Sequence, residues 1–313
     1  MKIGAVVVTF NRLEKLKKAL AAFEAQIYPL AYLIVVDNGS SDGTAEYLEV
    51  WKEKNGQAAD VCKRIVLSMG ENTGGSGGFH AGLKYAMELP DADWIWVSDD
   101  DAYTESDAIA NASEFLDNYN QTTGQDITGL SAICGAVLKN GELDTYHGKN
   151  YYVRGLKICE EVIPAEEYQK TYFEKTTLTY VAAIMNREKL AEAGLPNKDF
   201  FIYWDDLEHG MRMAKVGRIL EVPSVRAWHD TPPENDELNW KLYYSYRNMT
   251  ATYRKHFPGL PYQYFALKIR VKILLNHLTG NRSLRWTILE AGFKDAEAEK
   301  FGLHEIYRPG WKP

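Results

Sequence analysis

Between Ala92 and Glu105 the chain reads ADWIWVSDDDAYTE, an apolar run from Trp94 to Val97 that breaks into three consecutive aspartates, Asp99, Asp100 and Asp101. Adjacent like charges repel, and at the end of a buried strand they become tolerable when a divalent cation supplies the opposite charge. Mg²⁺ and Mn²⁺ prefer oxygen ligands and often bridge one or two carboxylates to substrate phosphates. Strand alternation points Asp99 and Asp101 to one side and Asp100 to the other. The plain alternative is an acidic surface turn.

Three further clusters could do chemistry. GENTGGSGGFHAG, Gly70–Gly82, has glycines at 74, 75, 77, 78 and 82, and glycine lets backbone amides approach a phosphate or a sugar. It is not a P-loop, because no Gly-Lys-Ser/Thr follows. It is not the dinucleotide fingerprint, because His80 stands where the third glycine belongs. Asp37 ends an apolar run in LIVVDNGSSDGT; a carboxylate there can accept from a ribose or a base, or it is simply a turn aspartate before Asn-Gly. From Phe200 to Asp230 an aromatic run precedes Asp205 and Asp206, and RAWHD closes the stretch. The two aspartates open a predicted helix, whose dipole favours the ionised form, which suits a general base near an acceptor hydroxyl. Helix capping is the bland reading. His229, beside Trp228, can join carboxylates on a divalent cation, against the commoner case of a satisfied polar histidine.

The elements that must position these groups follow from periodicity. Strands are predicted at Lys2–Val8, Tyr32–Val36, Arg64–Leu67 and Trp94–Val97, and helices at Leu13–Ala25, Asp42–Lys54 and Phe79–Leu89. Such alternation means a mostly parallel sheet with helices on both faces. In open α/β sheets ligands sit beyond the carboxyl ends of the strands, and TFNR, DNGSSDGT, the glycine stretch and SDDDA all fall there. Beyond Asp101 the prediction is helix at Ser106–Tyr119, strand at Ala132–Leu138, a loop-rich hairpin around KNGELDTYHGKNYYVRG, strand at Thr176–Met185, helix at Glu208–Val216 and strand at Ile219–Val222. Helices follow at Leu238–His256, Tyr262–His277 and Leu284–Phe293. The expected division is a catalytic body over 1–231 and a C-terminal basic helical extension over 232–313, with PPEND, Pro232–Asp236, as the boundary.

With 313 residues, 45% of them apolar, the chain can build a large core. Three scattered cysteines, Cys62, Cys134 and Cys159, read as reduced thiols. The N-terminus reads as a first strand rather than a signal peptide, and no apolar run reaches the ~20 residues a spanning helix needs; a soluble or peripheral protein is expected. The net charge of −7 conceals an asymmetry: no Asp or Glu occurs from Leu238 to Leu289, while that stretch contains Lys241, Arg247, Arg254, Lys255, Lys268, Arg270, Lys272, Arg282 and Arg285. An anionic partner for the stretch is one reading and a solvated helix face the other.

Taken in order, VVVTFNR, VVDNGSSDGT, ENTGGSGGFHAG, WIWVSDDDA, FFIYWDDLEHGMR and RAWHD resemble glycosyltransferase family 2, over about Lys2 to Asp230. YYSYRN, Tyr243–Asn248, also occurs in its rhamnosyl- and galactofuranosyl-transferring branch. The resemblance implies a GT-A fold and inverting transfer of a sugar, galactofuranose or rhamnose favoured, from a UDP- or dTDP-sugar. It implies Thr9, Phe10, Arg12 and Asp37 at the nucleotide; Asn72, Gly74, Gly75 and Asp100 along the donor; and Trp204 and Trp228 flanking the sugar. Asp99, Asp101 and His229 match metal ligands for Mn²⁺ or Mg²⁺. Asp206 matches the catalytic base, with Asp205 beside it. The implied partners are a nucleotide-diphosphate sugar and a glycan or lipid-linked glycan acceptor, with an anionic membrane surface for the basic helix around 262–286. Nucleic acid is not among them, and a homo-oligomer is left open. The location implied is cytoplasmic, peripheral on the inner face of the plasma membrane if that helix docks. A sugar-nucleotide pyrophosphorylase is a rival, but such enzymes carry a glycine-rich basic loop where this chain has TFNR. A non-catalytic nucleotide- or carbohydrate-binding domain is another, and it would release no nucleotide diphosphate from a donor.

Overall fold

A computed structural model describes residues 1–53, 62–231, 238–280 and 283–313. The expected boundary at Pro232–Asp236 lies outside the described residues. The first half alternates β1 (Ile3–Thr9), α1 (Leu13–Glu24), β2 (Tyr32–Asp37), α2 (Thr44–Glu53), β3 (Lys63–Ser68), α3 (Gly74–Glu88) and β4 (Trp94–Asp99). Then come β5 (Ala102–Thr104), α4 (Ala108–Asp117), α5 (Tyr119–Thr123), β6 (Leu130–Lys139), β7 (Glu142–Leu143), β8 (Lys149–Arg154), β9 (Lys157–Val162), β10 (Phe173–Lys175) and β11 (Ala183–Asn186). The chain continues with α6 (Arg187–Ala193), α7 (Asp205–Val216), β12 (Arg218–His229), α8 (Lys241–His256), α9 (Leu260–Thr279) and α10 (Leu284–Glu297).

The main sheet runs β10-β12-β6-β11-β4-β1-β2-β3. Pairing is parallel among β4, β1, β2 and β3 and between β12 and β6, while β11 is antiparallel to both its neighbours. β1 is buried along its whole length. Its alternate residues serve two cores: Ala5 and Val7 pack with Leu16, Leu20 and Trp51, and Val6 and Val8 with Phe79 and Leu83. Helices therefore cover both faces, as a parallel sheet requires.

Several predicted boundaries move. Helix α3 begins at Gly74, not Phe79, so the glycine stretch is the helix itself rather than a loop. Gly74, Gly78 and Gly82 lie along one helix face; a Cβ on Gly78 would stand 2.5 Å from Val8 and one on Gly82 2.4 Å from Val6. Those glycines let α3 lie directly on β1. The hairpin expected around residues 139–155 divides between the short β6–β7 turn and a separate β8–β9 ribbon. The predicted strand Thr176–Met185 is regular only from Ala183; Thr176 and Thr177 instead hydrogen-bond to Asn150 and Leu207.

Candidate active site

Register aligns the strand ends. Thr9 pairs with Asp37 across β1–β2, and Val8 with Asp99 across β1–β4, so the first, second and fourth strands end on one rim. Asp37 is buried and accepts the Ser40 N–H at 2.9 Å, closing the turn after β2. Phe10 follows, half-buried, and Asn11 adopts φ 52°, which turns Arg12 back over the rim.

The three aspartates divide their work. Asp100 accepts from the Thr9 hydroxyl at 2.8 Å and from Arg12 at 3.1 Å. Asp101 accepts from Arg12 at 2.7 Å, with Lys15 Nζ at 3.7 Å. His229 Nε2 stands 3.4 Å from the other Asp101 oxygen. Asp99, Asp101 and His229 each present a ligand atom within 4.8 Å of the others. Two carboxylates and an imidazole form a donor set that suits Mn²⁺ or Mg²⁺. Withdrawal from water, with Asp101 and Asp100 alongside, pushes the Asp99 carboxyl well above its usual range. Burial also raises Asp100, against the pull of Arg12. Burial would raise Asp101 too, but hydrogen bonding to His229 and the charges of Arg12 and Lys15 carry it below. A cation at this point would relieve the repulsion on Asp99, so the residues fit one.

His229 is itself held. Its Nδ1 meets His147 Nε2 at 3.0 Å, and His147 Nδ1 meets Thr179 Oγ1 at 3.0 Å. With the Nε2 lone pair of His229 directed at a cation, its Nδ1–H donates to His147, whose Nδ1–H donates to Thr179. Metal-bound histidines regularly donate their second ring N–H in this way. Burial, then the neighbouring His229, holds His147 well below the usual histidine range, consistent with a neutral acceptor. Asp144 joins His147 and His229 in a second close group.

Asp205 and Asp206 open α7 after a contorted loop. Burial and the Asp206 charge raise Asp205 to about 7. Burial raises Asp206 to about 6, opposed by N–H donors of Leu207 and Tyr180. The helix dipole alone would have kept both ionised at low pH; enclosure outweighs it. The Asp205 charge is among those that raise Asp99, so the helix start and the aspartate cluster share one electrostatic environment. Trp204, at φ 68°, caps the helix and packs between Tyr151 and Tyr253, ring centroids 5.8 and 5.5 Å away. Trp228 precedes His229 in β12, and strand alternation points it to the opposite face, 36% exposed.

The glycine helix meets this loop. Gly74 has φ +74°, and a Cβ there would lie 1.9 Å from the Phe201 carbonyl oxygen; the Ser76 N–H donates to that oxygen at 3.2 Å. Asn72 accepts the Gly74 N–H at 2.8 Å, and Asn38 donates to the Gly74 carbonyl at 2.9 Å. Asn72 is therefore occupied in shaping the helix start. A Cβ on Gly75 would meet nothing.

Sequence reasoning passed over several residues. Lys15, inside the predicted helix Leu13–Ala25, carries no local signal of a role. His147 lay in a stretch read as hairpin, with no motif around it. Lys241 was one basic residue among nine, yet it is grouped with Arg12, Asp101 and Asp99; burial, then Arg12, lowers its ammonium. Its ammonium also lies 5.7 Å from the Tyr203 ring centre. Arg247 and Asn248 stood in YYSYRN without a role.

The family model described as Glycosyl transferase family 2 matches residues 5–192. Galactofuranosyltransferase GlfT2 of Mycolicibacterium smegmatis is 24% identical over 337 residues, covering 94% of this chain and 49% of the relative. Galactofuranosyltransferase GlfT1 of Mycobacterium tuberculosis is 36% identical over 104 residues, covering 33% of this chain and 31% of the relative. The chain thus spans about half the length of the first relative, and its match spans under a third of the second. Among solved structures, GalNAc-T7 with UDP, GalNAc and Mn²⁺ superposes with a TM-score of 0.63 at 14% identity, over 96% of this chain and 56% of that one. S. aureus TarS 1-349 in complex with UDP gives 0.55 at 17% identity, over 82% and 66%. With the model matching more than half of its residues and that architecture shared, the chain belongs to glycosyl transferase family 2 and has the GT-A fold.

Proposed function

We propose that the protein is a metal-dependent inverting glycosyltransferase, moving galactofuranose or rhamnose from a UDP- or dTDP-sugar to a hydroxyl of a glycan or lipid-linked glycan in cell-surface polysaccharide synthesis. One observation carries the reading: a metal-capable set, Asp99, Asp101 and His229, lies within electrostatic reach of the raised pair Asp205–Asp206. Similarity to two galactofuranosyltransferases supports the choice of sugar. Thr9, Phe10, Arg12 and Asp37 surround the nucleotide, and Gly74, Gly75 and Asn72 shape the floor along the donor. Asp99, Asp101 and His229 would hold Mn²⁺ or Mg²⁺, whose charge would offset that of the departing diphosphate. Arg12, Lys15 and Lys241 add fixed positive charge around it. Asp206 accepts the proton of the acceptor hydroxyl as that oxygen bonds to the anomeric carbon and the bond to the diphosphate breaks on the opposite face. One displacement inverts the centre, and Trp204 walls the acceptor side.

The test begins with thermal-shift screening of UDP- and dTDP-sugars with and without Mn²⁺, since ligands of the native state raise its melting temperature. On the donor selected, Asp206→Asn retains donor binding and loses transfer. Transfer by this variant at the wild-type rate would remove the base assignment.

The same reading places the protein at the inner face of a membrane, through α9. Leu260, Leu267, Val271, Leu274, Leu275 and Leu278 are all exposed, Leu278 by 73%. At 100° per residue they fall within about 100° of arc. Phe265, Ala266, Ile269 and Ile273 face the body of the protein instead. Lys268 and Lys272 on one edge and Arg270 on the other border the exposed stripe, without an acidic residue in the helix. An apolar stripe between cations suits anionic lipid. Among the described residues no helix is long and apolar enough to cross a membrane, so the helix would lie in the interface. Phe265 packs on Tyr253, which packs on Trp204; a docked α9 would therefore hold lipid close to the acceptor side. Flotation with phosphatidylglycerol vesicles should recover the protein at low salt, and phosphatidylcholine vesicles should not. Leu274→Glu with Leu278→Glu abolishes the recovery. Salt-independent binding to both vesicles, or a dimer lost in the double variant with no vesicle binding, counts against lipid.

A further inference from the structure

The loop that delivers Asp205 and Asp206 is bent against the preferences of its own residues. Phe201 adopts φ 67° and ψ −60°, and the Ile202 N–H donates to the Phe200 carbonyl at 2.8 Å. That is a γ-turn of the rare, strained hand. Tyr203 and Trp204 follow at φ 65° and 68°. None of the three is glycine, so none enters this region freely; surrounding contacts must hold it there.

We propose that Arg247 and Asn248 are positioning residues for the transfer reaction: they clamp this turn so that Asp206 faces the acceptor hydroxyl. Both are buried on α8, at 1% and 0% exposure. Asn248 Nδ2 reaches three loop carbonyls, Phe200 at 2.9 Å, Ile202 at 2.9 Å and Tyr203 at 2.8 Å. Arg247 reaches Phe200 at 2.9 Å, Asp199 at 3.3 Å and Gly302 at 2.7 Å. Arg247 Nε also donates to Asn248 Oδ1 at 2.9 Å. That bond occupies the amide oxygen and leaves both amide hydrogens for the loop, which settles which way Asn248 points.

Among the described residues no carboxylate lies within ion-pair distance of Arg247. The guanidinium rests on carbonyls and on the faces of Tyr243, Tyr244 and Phe301, centroids 5.4, 4.9 and 5.4 Å away. A buried charge without a counter-ion is costly unless fully hydrogen-bonded, and here carbonyl oxygens of the strained loop supply much of that bonding. On the other side the Phe201 carbonyl is gripped by Ser76 N–H beside Gly74. The turn is thus fixed from both sides, and two residues after Trp204 comes Asp206.

The proposal rests on the assignment of Asp206 as base, and the experiment separates the two. Asn248→Ala, Arg247→Lys and Asp206→Asn are compared with wild type by turnover on the screened donor, UDP–Mn²⁺ affinity by calorimetry, and hydrogen exchange. Asn248→Ala is expected to lower kcat about a hundredfold, the scale for a displacement of about 1 Å in a reacting group, with UDP–Mn²⁺ affinity unchanged. Amides of 200–207 lose protection while β1 and β4 keep theirs. Arg247→Lys, which keeps charge but loses the planar fork, falls between. Wild-type kcat with undisturbed exchange in Asn248→Ala overturns the clamp. So does parallel loss of UDP–Mn²⁺ affinity and of protection in β1 and β4, which marks a merely structural role. Full activity in Asp206→Asn removes the base instead, and exchange at 200–207 alone then decides the clamp.

Discussion

Gly74 and Gly75 are neighbours with opposite expected responses to the same substitution. In Gly74→Ala the new Cβ would stand 1.9 Å from the Phe201 carbonyl oxygen and 2.6 Å from its carbon, where ordinary contact begins at 3.4 Å. Helix α3 and the loop before Asp205 must separate by about 1.5 Å, an overpacking that costs about 1–3 kcal/mol. The φ of +74° adds about 1–2 kcal/mol for a residue with a Cβ. The Ser76-to-Phe201 hydrogen bond is lost as well, about 1 kcal/mol more. A destabilisation of at least about 3 kcal/mol follows, which at about 2 °C per kcal/mol for a chain of this size lowers Tm by about 6 °C or more. In Gly75→Ala the Cβ meets nothing and φ lies outside the left-handed region, so a helical alanine gains up to about 1 kcal/mol. If Gly75 lies against the donor, that variant binds UDP–Mn²⁺ more weakly while melting no lower. Differential scanning calorimetry of both variants, with UDP–Mn²⁺ titration, is the assay. A Gly74→Ala protein that melts with wild type, or below which Gly75→Ala melts, would refute the close approach of α3 to the Phe201 turn.

The remaining expectations concern the metal and the base. His147→Phe removes the acceptor that fixes His229 and should weaken Mn²⁺ binding about 10–100-fold, read directly by electron paramagnetic resonance; unchanged affinity would dismiss the Thr179–His147–His229 chain. With Asp206 raised to about 6 by burial, the basic form is lost as pH falls through that value, so kcat/KM should drop about tenfold per unit below it. A profile flat down to pH 5 would separate Asp206 from the rate.

Much of this molecule was legible in its residues in order. Hydrophobic runs of period two and 3.6 place β1 to β4 with the helices between them, because burial on both faces demands that pattern locally. The polar strand ends follow from the same reading, since a parallel sheet collects its carboxyl termini on one rim. Alternation predicts Asp99 and Asp101 on one side with Asp100 on the other; β4 ends at Asp99, and the turn that follows brings Asp101 to Asp99 and His229 while Asp100 and Asp101 share one nitrogen of Arg12. What the one-dimensional pattern does not contain is contact between residues far apart in the chain. His147 reaches His229 across 82 residues, and Asn248 reaches Phe200 across 48; neither carries a local signature, because packing of the antiparallel insert and of α8 creates the contact. Burial made the other decision. Two aspartates at a helix start predict low pKa values from the dipole alone, yet burial in the folded protein raises both. Residue order specifies the layers and the rim; which side chains meet there, and in what protonation state, emerges only in the closed fold, because desolvation and long-range contact do not exist before it.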